Sequence, residues 1–128
     1  MIVVDTSALI EMIMLGPRAD ECRQALMRTE AIYISAGSFT ETLIVSAGKG
    51  LDAEIDTVRT QSEIEIAPVT VERAQAAGDA YRQWGKGWHP ARLNFGDCFA
   101  YALAKELDCP LLFVGNDFAQ TDVKSALG

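Results

Sequence analysis

The sequence predicts an α/β fold built on a central, mostly parallel sheet with helices over both faces. Short strand-like runs recur along the 128 residues, at Ile2-Val3-Val4, Ala31–Ile34, Ile64-Glu65-Ile66 and Leu111–Val114. Helical stretches separate them. The runs are mostly continuous in hydrophobicity rather than alternating, as strands buried on both faces are.

The first strand leads into a helix carrying Leu9, Ile10, Ile13 and Met14. Asp5, Thr6 or Ser7 can cap it, and Gly16-Pro17 stops it. Residues 19–29 read as a second helix with Asp20 and Glu21 in the favourable first turn. After the second strand Ser38 opens a helix with an apolar face of Leu43, Ile44 and Ala47, closed by Gly48 and Gly50. Residues 51–62 form another amphipathic helix before the third strand. Val71 to Trp84 is helical again, and a Gly/His/Pro-rich loop, GKGWHPARLNFG, follows. Asn94 or Gly96 begins a strongly apolar helix through Leu107, and Pro110 separates it from the last strand. No linker, repeat or low-complexity segment divides residues 1–128, so a single domain is expected.

Apolar residues make up 49% of the chain and charged residues 23%, a balance that excludes disorder. No apolar run approaches the ~20 residues of a membrane span. The N-terminal stretch lacks a basic leader and carries Asp5 and Glu11, so it reads as a strand and helix, not a signal peptide, and a cytoplasmic protein is expected from the cysteine pattern. Cys22, Cys98 and Cys109 are odd in number and show no CxxC spacing, so reduced, buried thiols are expected. The net charge of −7, from 18 acids against 11 bases, argues against nucleic acid as a partner. That objection weakens if several acids gather to hold divalent cations, which reverse the local sign.

In open parallel sheets the ligand crevice lies beyond the carboxyl ends of the strands. Asp5 follows the first strand and Asp117 the last, while Glu41 and Asp97 fall in the first turns of two helices. Four carboxylates can therefore converge on one rim. Each also has a structural reading: Asp5 as a helix cap, Glu41 in a Ser38-x-x-Glu41 capping box, Asp97 on a helix dipole, Asp117 in a turn. A first-turn carboxylate can cap and bind metal together. Magnesium takes oxygen ligands and keeps waters, so one or two carboxylates per ion suffice. Phosphodiester hydrolysis by metal-activated water needs no histidine or cysteine nucleophile, and the sole histidine, His89, sits in a loop.

The stretches MIVVDTSALI, SAGSFTETLIV and LNFGDCFAYALAKELDCPLLFVGNDF, with Thr121-Asp122, span nearly the whole chain in this order. In them the sequence resembles the PIN-domain family, and within it the VapC-like toxins. The resemblance maps the family's acidic site onto Asp5, Glu41 and Asp97, with Asp117 as the best match to the fourth acid. Asn116 stands where relatives often carry a second acid, which weakens any second metal site, and Asp122 is a nearby alternative. Ser7 corresponds to a hydroxyl position beside the first acid, implying a hydrogen bond to a carboxylate or a metal-bound water. The resemblance further implies a three-layer α/β/α sandwich, RNA cleavage with Mg2+ or Mn2+, and a homodimer. It also implies inhibition by a cognate VapB-like antitoxin, as in the toxin half of a type II toxin–antitoxin pair.

Ala80 to Gly96 contains no acid but holds Tyr81, Arg82, Trp84, Lys86, Trp88, His89 and Arg92. Basic groups interleaved with aromatics suit an unpaired RNA strand, with Arg82, Lys86, Trp88 and Arg92 as the contact candidates and Trp84 in the core. Met12 and Met14 are candidates for a partner surface, against a plain core role. Two other functions compete. A phosphotransfer fold also places an acid after its first strand, but Ser7 stands where such phosphatases carry a second acid. A degenerate PIN-like module would bind RNA or a partner without cutting.

Overall fold

The computed structural model describes residues 1–128. The chain runs β1 (Ile2–Val4), α1 (Thr6–Ile13), α2 (Ala19–Met27), β2 (Ile32–Ser35), α3 (Ala36–Lys49), α4 (Asp52–Gln61), β3 (Glu65–Ala67), α5 (Val71–Trp84), α6 (Phe95–Glu106) and β4 (Leu111–Leu112). The sheet order is β3-β2-β1-β4 and every pairing is parallel. β1 is central, with Val3 opposite both Tyr33 and Leu111.

Strand alternation divides the interior into two layers. Val3 and Leu111 pack with Ala77, Ala80, Leu93, Tyr101 and Leu103, so α5 and α6 cover one face. Ile2, Val4, Ile32, Ile34 and Leu112 pack with Leu9, Met12, Cys22, Leu26 and Ile55, so α1, α2 and α4 cover the other. This is the expected three-layer sandwich. α3 packs against α1, α4 and α6 and thus spans the two layers at one edge. No helix is long and apolar enough to cross a membrane. Cys22 and Cys98 are buried, Cys109 is half-buried, and all three are free thiols.

Three expectations are corrected. α3 begins at Ala36, with the Ser35 side chain accepting a hydrogen bond from Gly37 N, so Ser38 is not its cap and Glu41 is not in its first turn. Its inward face is also not Leu43, Ile44 and Ala47. Ser38, Thr42 and Ser46 are buried, whereas Leu43 and Ile44 are exposed. The reason lies in the α1–α3 contact, where Thr6 Oγ1 donates to Ser38 O at 2.9 Å and Thr42 Oγ1 lies 3.0 Å from Thr6 Oγ1. Small hydroxyl residues spaced four apart let the helices approach closely while the Thr6 and Thr42 hydroxyls find partners across the contact. Hydrophobicity alone assigns the wrong face. Likewise β4 pairs only through Leu111-Leu112, because Val114 N turns away to donate to Ser7 Oγ. The outer edge of β4 is covered by the C-terminal segment, with Leu111 N donating to Lys124 O and Ala126 N to Leu111 O.

Candidate active site

The sheet reverses direction of winding between β1 and β4, and a cleft of about 450 Å³ opens beyond their carboxyl ends. Asp5, Glu41, Asp97 and Asp117 all line it. Four carboxylates that are distant in sequence thus share one space.

Asp5 ends β1 in extended backbone and caps α1, its Oδ2 accepting from Ser7 N at 3.0 Å. Its Oδ1 is buried without any hydrogen-bond partner. Burial foremost pushes the carboxyl up to about 6, and Glu41 repulsion adds to this, while hydrogen bonds from Ser7 pull the other way. Asp97 is the third residue of α6 in a full capping box: Asn94 Oδ1 accepts from Asp97 N at 2.9 Å, and Asp97 Oδ2 accepts from Asn94 N at 3.0 Å. Asp97 therefore has a structural role at the start of α6, as the acid of a capping box with Asn94. Burial again dominates and pushes this carboxyl up to about 7, with further repulsion from Asp5, Asp117 and Glu41. Glu41 is half-buried on α3 and Asp117 exposed beyond β4.

Of the alternative positions, Asn116 and Asp122 fall outside the cleft and Ser7 lies in it. Asp122 accepts from Tyr101 Oη at 2.6 Å and pairs with Lys105 at 3.2 Å, tying the C-terminal segment to α6, and it does not line the cleft. Asn116 is exposed and also outside the cleft lining. Ser7 lines the cleft, and its hydroxyl accepts from Val114 N at 3.0 Å while standing close enough to favour ionised Asp5.

A sequence description of the PIN domain matches residues 2–124. The chain belongs to the PIN-domain family. Ribonuclease VapC30 of Mycobacterium tuberculosis is 40% identical over 124 residues, covering 94% of this chain and 95% of that protein. Among solved structures, VapC20 of Mycobacterium tuberculosis, a Sarcin-Ricin loop cleaving toxin, matches with a TM-score of 0.76 at 15% identity, over 96% of both chains. VapBC2 from Rickettsia felis, bound to a DNA fragment from its promoter, matches with a TM-score of 0.74 at 14% identity, over 98% of this chain and 96% of that one.

The donor set of this PIN domain fits a hard divalent cation. All candidate ligands are carboxylate oxygens, and the orphaned Asp5 Oδ1 is a buried acceptor whose desolvation is otherwise uncompensated. The side chains do not form a closed cage, since no three His, Cys, Asp or Glu residues converge at ligand geometry. An ion that retains waters and takes one or two carboxylates does not require one.

The sequence reading did not assign Ile10, Glu11, Met14, Val45 or Lys49 to the cleft, although their spacing from Ser7 and Glu41 carries it. Glu41, Val45 and Lys49 recur four apart on α3, and Ser7, Ile10, Glu11 and Met14 follow helical spacing on α1 and just past its end. A larger groove of about 770 Å³ lies between α5 and α6, lined by Tyr81, Arg82, Lys86, Trp88, Phe95 and Phe99 among others. It is lined by no carboxylate, in contrast to the smaller cleft. The two are divided by the first turn of α6, with Asn94 on one side and Asp97 on the other. Trp84 is half-buried and donates through Nε1 to Tyr101 Oη at 2.8 Å, in keeping with a core role. Trp88 is 66% exposed. Arg82 pairs with Asp79 at 2.9 Å, while Lys86 and Arg92 have no carboxylate partner.

Proposed function

We propose that the chain is the toxin of a type II toxin–antitoxin pair, an endoribonuclease that uses Mg2+, with Mn2+ as a substitute. The observation that carries this reading is the cleft itself, which four carboxylates from separate elements line, with the Asp5 Oδ1 among them buried and unpartnered. The names of the VapC relatives and the PIN family membership support the same activity. Asp5 and Asp97, the buried pair, would hold the ion, with Glu41 and Asp117 completing its surroundings. Bound there, the ion supplies the positive charge that offsets the phosphodiester and lowers the pKa of water. Glu41 and Asp117, nearer solvent, would be the carboxylates available to orient water at the ion. Ser7 would favour the ionised form of Asp5 through its backbone N–H, while its hydroxyl accepts from Val114 N just past β4.

The purified chain is expected to cut single-stranded RNA with Mg2+ and to stop when EDTA is added. RNA binding without cleavage in either metal would instead describe a binding module. Hydrolysis of a phosphomonoester with RNA spared would describe a phosphotransfer enzyme.

The substrate strand crosses the α5–α6 groove and the adjoining surface of the 86–92 loop in this reading, with Lys86, shared by both, and Arg92, on the loop side only, contacting phosphates and Trp88 against an unpaired base. Arg82 is the weaker candidate because Asp79 already holds it. Lys86→Glu with Arg92→Glu is expected to lower cleavage and flatten its salt dependence, the slope falling by ~1 for each phosphate no longer held. Unchanged cleavage at several salt concentrations would remove this face from the substrate path.

A cognate VapB-like antitoxin is the proposed protein partner. Met14 (50% exposed), Leu15 (76%) and Ile44 (69%) present apolar surface on the elements that carry the cleft, which suits a protein contact. Met12, by contrast, is core. Self-association into a homodimer is proposed on the resemblance, and light scattering of the purified chain decides it.

A further inference from the structure

We infer that Gly96 is a positioning residue whose bare Cα forms the seat that holds the Glu41 carboxylate in the cleft. A Cβ built at Gly96 would lie 2.7 Å from both Glu41 Cδ and Oε1, with Oε2 nearer still. The carboxylate therefore rests on the first turn of α6 where a side chain would otherwise stand.

Nothing else explains a glycine at this position. Its φ lies outside the left-handed region, so the backbone does not demand it. Glycine is a poor helix former, and Gly96 is the second residue of α6. It is buried, and the nearest groups to the missing side chain all belong to Glu41. Glu41 itself makes no hydrogen bond or ion pair, unlike Asp5 and Asp97, which backbone N–H groups pin. Packing against Gly96 is what confines it. Gly37 provides a useful contrast: the missing side chain there would meet the Phe99 ring, a packing contact outside the acid cleft.

The purpose of this seat rests on the nuclease reading, but the seat itself does not. Gly96→Ala should fold, because the group in its way is the free end of a flexible side chain. Its metal-free melting temperature is expected to be no lower than that of the native chain. A crystal of Gly96→Ala should show the Glu41 carboxylate displaced by about the length of a C–C bond, ~1.5 Å, or more. Mn2+ affinity, read by electron paramagnetic resonance on the protein without RNA, should fall about tenfold or more, and RNA cleavage with it. In a Glu41→Ala background, adding Gly96→Ala should change neither quantity further, since the seat then has no occupant. If Gly96→Ala melts lower, Glu41→Ala should restore it.

Glu41 unmoved in the Gly96→Ala crystal would overturn the inference. So would an equal loss of Mn2+ affinity in the Glu41→Ala background, or a lowered melting temperature that Glu41→Ala leaves in place. A native chain that neither binds Mn2+ nor cuts RNA overturns the nuclease reading instead, and the crystal then still decides the seat.

Discussion

Asp97→Asn is expected to raise the melting temperature of the metal-free protein while lowering RNA cleavage by about 100-fold or more. The two effects share one cause. Asp97 is 7% exposed and faces three other carboxylates, so its charge is held in the fold at a cost. Raising a carboxyl from 3.8 to about 7 corresponds to roughly 4 kcal/mol of lost stability once the group is fully ionised. Asparagine removes that charge and keeps the shape. Its amide oxygen can still accept from Asn94 N, so the capping box of α6 survives. Even half of this relief would raise the melting temperature by about 5 °C or more for a chain of this size. Cleavage falls because a neutral amide is a far poorer partner for a divalent cation. Calorimetry in EDTA beside a cleavage assay in Mg2+ checks both arms. An unchanged or lower melting temperature would mean that the carboxylates do not crowd one another in the folded chain.

Acidification is expected to stabilise the metal-free protein over the range where most proteins change little. Asp5 and Asp97 both have folded-state values above their ordinary one, at about 6 and about 7 against 3.8. Between those limits the folded chain binds more protons than the unfolded chain. Stability therefore rises as pH falls from about 8 towards 4, and it is lost as pH rises through 6 to 7. For Asp97 alone the gain from pH 8 to pH 5 is roughly 2–3 kcal/mol. The carboxylates lowered by pairing, Glu21, Glu106 and Asp122, act in the opposite sense only at more acidic pH. Saturating Mg2+ should flatten the profile, since an ion that prefers the ionised carboxylates compensates their repulsion. Urea unfolding at several pH values in EDTA measures this directly. A maximum of stability near pH 8 without metal would contradict the buried acid pair.

The linear order of residues determined a great deal here. The aliphatic runs and the helical stretches between them specify a parallel α/β sheet, because strands buried on both faces must be apolar throughout. Asp5 and Asp117 were legible as rim residues because strand ends in such sheets define a crevice, and Asn94, beside Gly96, as a start of α6 because a capping side chain serves the helix start locally.

Only the tertiary structure decided the rest. α3 turns its serines and threonines inward because α1 lies close beside it, and its leucine and isoleucine outward, which no hydrophobic pattern within one helix can reveal. Asp122 is engaged by Tyr101 and Lys105, groups that lie 21 and 17 residues away in the chain. Gly96 looks like a helix fault until Glu41 is seen lying on it. Periodicity and caps arise from interactions among near neighbours and can be read along the chain. Which side chain a helix leaves room for depends on a partner brought in by the fold.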